Sequence, residues 1–161
     1  MEFDIDVSGK DILSKNYVIC IASKDGKLIK GFKFNNKLVQ IIASKYGQEL
    51  YKYKKSVQGK VNLQIRIYSI VIYYLFKSIK IKNVSLNICR DFYGHNNEIV
   101  NNLNYFLKGL LKLNILDCQF KKLDKNSFAD NYAYLMAKDS KNKMKTYVTI
   151  RLDDFEKFLK K

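Results

Sequence analysis

The stretch Phe3-Asp4-Ile5-Asp6-Val7-Ser8-Gly9 decides how this chain is read. Apolar residues at 3, 5 and 7 alternate with carboxylates at 4 and 6, the period of a β-strand with one face in a core. Aspartate is depleted in strands. Two in one strand, in a chain with 30 Lys and Arg against 15 Asp and Glu, mark the polar face as a place for chemistry. Asp6, near the strand's end, is the stronger candidate, with turn-capping beside Ser8-Gly9 as its plainer role. Asp4, farther back, is expected to be solvated or paired with a lysine.

Working outward, residues 17–22 read as a second strand, apolar on both faces and therefore central. Asp25-Gly26 signals a hairpin into a third strand over 28–34. Leu38, Ile41, Ile42, Tyr46 and Leu50 recur at helical spacing over 37–53, after Asn35 and Asn36 as caps. Residues 61–79 are apolar nearly all round; their Ile and Val suit a strand, but the length demands a buried helix. Residues 84–90 form a fourth strand ending at Asp91. An amphipathic helix carries Ile99, Leu103, Phe106, Leu107, Leu110 and Leu111, and a fifth strand covers 115–120. A helix from Ser127 to about Lys138 turns Tyr132, Ala133, Leu135, Met136 and Ala137 inward. A strand-like 145–150 and a short helix from Asp153 or Asp154 close the chain. The fold class is α/β: a mixed five-stranded sheet, three antiparallel strands then two parallel strands, flanked by helices. One domain is expected over 1–161, with a core of about 2–140 and a strand-helix appendage at 141–161.

Composition narrows the function. The formal net charge is +15, which favours a polyanionic partner through phosphate neutralisation and counterion release. The richness in Lys, Asn, Ile and Tyr, with no proline, resembles the product of an AT-rich genome and is a competing source of lysine, although glutamate stays scarce. The acidic start does not resemble a secretory signal, and the apolar run 67–76 is well short of the roughly 18 to 20 residues that span a bilayer. A soluble, cytoplasmic protein without membrane contact is expected. Cys20, Cys89 and Cys118 lack zinc-site spacing and read as reduced, buried thiols.

The order of elements, with Asp6 in the first strand, Asp91 ending the fourth and Asp130 in the last core helix, resembles the ribonuclease H-like superfamily over residues 2–140. The resemblance implies phosphodiester cleavage with Mg²⁺ or Mn²⁺ held by Asp6, Asp91 and Asp130, one metal activating water and the other stabilising the leaving oxygen. His95, the only histidine, would orient water or accept a proton beside such a site; its plainer role is a loop hydrogen bond. Asp130, three residues after Ser127, also has capping-box spacing, and Asp91 also fits a turn. The superfamily's enzymes typically add a glutamate from the first core helix, whereas helix 61–79 contains no acid and offers Gln64 as the nearest substitute; Glu49 would serve only with a different helix assignment.

For nucleic acid, Lys52, Tyr53, Lys54, Lys55 and Lys60 combine cations that track phosphates with an aromatic ring for base stacking, although a solvated helix end has the same composition. Lys121, Lys122 and Lys125 are a second patch expected to flank the acidic edge. The expectation is a divalent-metal-dependent nuclease. The alternative is a non-catalytic nucleic-acid-binding or scaffolding protein of the same fold, which the missing glutamate favours; an interaction protein unrelated to nucleic acid is a third reading. DNA against RNA and the oligomeric state are left open.

Overall fold

The computed structural model describes residues 1–90, 92 and 94–161. Five strands form one mixed sheet: β1 (Glu2–Ser8), β2 (Val18–Ser23), β3 (Ile29–Lys33), β4 (Asn83–Ile88) and β5 (Asn114–Phe120). Their spatial order is β3-β2-β1-β4-β5. β1, β2 and β3 pair antiparallel, while β4 lies parallel to β1 and β5 parallel to β4. The alternation in β1 is realised: Phe3 and Ile5 are fully buried in the main core, and the aspartates take the opposite face. β2 is buried at every position, as an interior strand covered on both faces must be. Gly26, at φ +74°, turns the hairpin, and Phe128 packs so closely over it that a Cβ there would lie 2.7 Å from the ring.

Between β3 and β4 run α1 (Asn36–Gly47) and α2 (Val57–Lys77). Asn35 caps α1, its side chain accepting the Leu38 N–H at 2.8 Å. The helix stops sooner than its apolar spacing predicts. Glu49 adopts φ 59°, Leu50 is left 48% exposed, and Tyr51 turns into the core; its hydroxyl donates to Glu156 at 3.0 Å. That buried hydrogen bond fixes the chain in a non-helical path where helical periodicity alone would continue. α2 begins earlier than expected because Ser56 caps it, and it is the buried helix that length, rather than β-propensity, requires.

After β4, α3 (Asn96–Leu103) runs into a π-helical turn at Asn104–Leu110, which the spacing does not reveal. α4 (Phe128–Lys138) follows β5 and buries Ala129, Ala133 and Met136; Leu135, expected inward, is 48% exposed. Residues 145–150 make no strand. Their backbone pairing with the sheet is one parallel bridge at Gly31, whose N–H donates to Thr146 and whose carbonyl accepts from Val148. α5 (Leu152–Leu159) is not peripheral: Phe155 and Leu159 are fully buried in the same cluster as Phe32, Phe34, Tyr73 and Phe106.

The result is three layers. α1, α2, α3, the π-helical turn and α5 cover one face of the sheet through the main core, and α4 covers β1 and β2 on the other through Val18, Cys20, Ala133 and Met136. Among the described residues no helix is long and apolar enough to cross a membrane.

Candidate functional site

β1 carries both of its aspartates under α4, and the two meet different neighbours. Asp4 is 3% exposed. Its Oδ1 accepts from Asn87 on β4 and pairs with Lys24 beyond β2, both at 3.0 Å, and its Oδ2 accepts the Ser127 hydroxyl at 2.9 Å. The expected lysine pairing is present, but within a buried cross-link rather than in solvent. Ser127 therefore does not cap α4. Its own N–H donates to Asp124, so neither half of the capping box expected with Asp130 forms.

Asp6 is 6% exposed and stands one residue past the last β1–β4 pair, Ile5 with Ile88. Val7 N–H donates to its Oδ1 at 2.8 Å. Cys20 faces it across the β1–β2 ladder; burial, and after it the Asp6 charge, push that thiol up to about 12. Cys89 N–H donates to the Ile5 carbonyl at 3.0 Å, holding the end of β4 beside Asp6. Asp91 lies outside the described residues.

Asp130 sits in the first turn of α4, exposed to solvent, where its charge favours the helix N-terminus. His95 precedes α3 and directs Nδ1 toward Glu98 at 3.5 Å. α2 carries no acid. Gln64, the expected substitute, donates to Asp11 Oδ1 at 3.2 Å, in a cleft also lined by Gly9, Lys10 and Phe92. Among the described residues no three His, Cys, Asp or Glu side chains gather as a metal-binding group.

The basic tract is held by two devices. Lys52 N–H donates to the Leu159 carbonyl at 3.1 Å, tying the tract to α5. Gly59, in the first turn of α2, lets the Lys54 carbonyl approach to where a Cβ would lie 1.9 Å away. Lys52, Lys54, Lys55 and Lys60 are exposed and Tyr53 is half-buried. Lys55 reaches back to the Gly47 carbonyl at 3.0 Å. The tract also meets Arg66 of α2, which joins Lys52 and Tyr53 in lining one cleft. In the sequence Arg66 stands out only as the border of an apolar run; the signal it offers is its spacing, one charged residue on an otherwise buried helix stretch. Lys121 follows β5, and its N–H donates to the Ile88 carbonyl at 2.9 Å, which puts it at the same end of the sheet as Asp6; Lys122 and Lys125 are exposed in the loop beyond.

A scan against protein-family models, a search of curated proteins and a search of solved structures each returned no match.

The arrangement thus has two poles. One is a buried carboxylate at the end of the central strand. The other is a surface whose cations have few counter-charges: among the described residues, Lys24, Lys45 and Lys160 are the lysines and arginines in ion pairs.

Proposed function

We propose that this chain is a nucleic-acid-binding protein of ribonuclease H-like architecture. The observation that carries the reading is the uncompensated cationic surface, because Lys and Arg left without carboxylates retain their full attraction for phosphates. The strand order β3-β2-β1-β4-β5, with a helix on the far face after β5, supports the architectural part. Anisotropy of a labelled single-stranded oligonucleotide over a salt series tests it. Log affinity is expected to fall with log salt at a slope of about −2 or steeper, as three or more phosphate contacts require. Salt-independent binding, or none at low salt, would sink the proposal; DNA, RNA and duplex competitors then rank the substrates.

A second reading, metal-dependent phosphodiester cleavage, is favoured by Asp6. β1 leads to β2 on one flank of the sheet and β4 leads to β5 on the other, and ligands of open sheets bind outside the strand ends where the order parts in this way. Asp6 offers hard oxygen there, the donor that Mg²⁺ and Mn²⁺ prefer. The described acids do not complete a cradle by themselves, so the ligand role of Asp91 and Asp130 rests on the superfamily resemblance. When bound, the metal would activate water. Cleavage of the oligonucleotide that appears with Mn²⁺ and vanishes in Asp6→Asn supports this reading; equal cleavage in both proteins removes Asp6 from it.

A further inference from the structure

The basic tract and the surface of α2 enclose a cleft of about 390 Å³ lined by Lys52, Tyr53, Asn62, Arg66, Asn101 and Asn102, with Glu98 also in its wall. Geometry rather than a counter-charge holds Arg66 in place. Its Nη1 donates to Asn102 Oδ1 at 3.0 Å, and its guanidinium carbon lies 4.9 Å from the Tyr105 ring centre and 4.6 Å from that of Phe106. Nε is buried without a hydrogen-bond partner. Among the described residues no carboxylate comes within ion-pair distance of Arg66 or Lys52, and Glu98 has His95 as its partner.

Lys52 and Arg66 therefore share one cleft without an ion pair to either, and Glu98 is the one carboxylate in its wall. Burial, and after it the Arg66 charge, lower the Lys52 ammonium below lysine's ordinary value. An anion seated between the two would replace this repulsion with two attractions. With Nε buried and Nη1 donating to Asn102, the guanidinium fixed on aromatic rings has Nη2 left as the donor for a phosphate oxygen. Neutral amides add donors: Asn62 has its Oδ1 taken by Gln58 at 2.8 Å, leaving its NH₂ to donate. A second cleft of about 360 Å³ shares Lys52 and Tyr53 and continues past Lys54 and Lys161, with Glu49 also in its wall, so a chain of phosphates would have two further lysines to follow.

We propose that the Arg66–Lys52 cleft is a phosphate-binding site. It rests on the function proposed above only for the source of the phosphate, a nucleic-acid backbone rather than a free phosphate ligand. The test compares the full chain with Lys52→Gln, Arg66→Gln and Arg66→Lys, and with Lys80→Gln as an exposed control. Two probes are used: a labelled twenty-nucleotide thymidine oligomer followed by anisotropy, and inorganic phosphate followed by thermal shift. Lys52→Gln removes an exposed side chain and keeps the test independent of the Arg66 packing. Each neutralised variant is expected to bind the oligomer about tenfold more weakly, with a salt slope shallower by about 0.7 for each phosphate no longer neutralised. Arg66→Lys is expected to recover part of the affinity, and Lys80→Gln, outside the cleft, to weaken binding less than either cleft variant. Phosphate should raise the melting temperature of the parent and not of Lys52→Gln. If phosphate stabilises the parent in this selective way while the oligomer does not bind, the site stands with a free phosphate as its ligand and the nucleic-acid reading alone falls. Unchanged affinity of the variants for both probes, or a parent that binds neither, overturns the site.

Discussion

Asp4 and Asp6 are the same residue type, two positions apart on one face of one strand, at 3% and 6% exposure, and they do different work. Asp4 joins four pieces of the fold: β1 itself, Lys24 past β2, Asn87 of β4 and Ser127 ahead of α4. Asp6 accepts its own neighbour's N–H and lies where the paired parts of β1 and β4 end. A strand's alternation assigns a carboxylate to a face, while its role depends on what other elements bring to it. One aspartate cross-links four segments, and the other stands where the β1–β4 pairing ends.

The sharpest way to break this contrast is Asp4→Ala. It would leave the buried Ser127 hydroxyl without its acceptor and Asn87 with Glu2 as its remaining carboxylate partner at 3.1 Å, a loss of about 2–4 kcal/mol, with the half-exposed Lys24 adding little. Urea unfolding of both proteins measures it. A loss below about 1 kcal/mol would be that of a surface carboxylate and would rule out the cross-link as a source of cohesion.

Glu156 supplies a second anchored acid for the comparison. It is 8% exposed, accepts from Lys45 at 2.9 and 3.0 Å and from Tyr51 at 3.0 Å, and has Lys160 at 3.7 Å. Burial alone would raise its pKa, but these partners outweigh burial and hold the carboxyl below its ordinary value of 4.5. A carboxylate lowered on folding stabilises fully above its unfolded pKa and loses that contribution as pH falls through the folded one. Glu156→Gln is therefore expected to destabilise by about 1.5–3 kcal/mol at pH 7, with the gap to the parent closing as pH falls through and below 4.5. Urea midpoints at pH 7 and pH 3 check this. A gap that does not narrow with acid would assign the effect to shape rather than charge.

Local pattern made the strands, the capped start of α1 and the buried α2 legible, because period, length and turn residues all act over a few positions. Long-range hydrogen bonds hid the rest. The end of α1 depends on Glu156, about a hundred residues away, drawing Tyr51 inward. Ser127 looks like a cap by spacing, yet its hydroxyl serves Asp4. Residues 145–150 have a strand's composition, but one glycine of β3 is all they pair with. For the site, the acidic strand and the basic tract were readable, whereas the partnership of Arg66 with Lys52 exists only once α2 lies against the tract.

The smallest expected effect is the most telling one. Asp6→Asn keeps an oxygen that can accept the Val7 N–H now 2.8 Å from Oδ1, and it removes a buried charge. Stability is therefore expected to change by less than about 1 kcal/mol, or to rise, as it does where a residue is retained for function at some expense of stability. Urea unfolding beside Asp4→Ala gives the comparison directly. A loss for Asp6→Asn as large as that for Asp4→Ala would make Asp6 a second cross-link and dissolve the distinction between the two aspartates. Neutrality would mean that the fold does not need this charge, the outcome that the proposed metal-dependent reading of Asp6 requires.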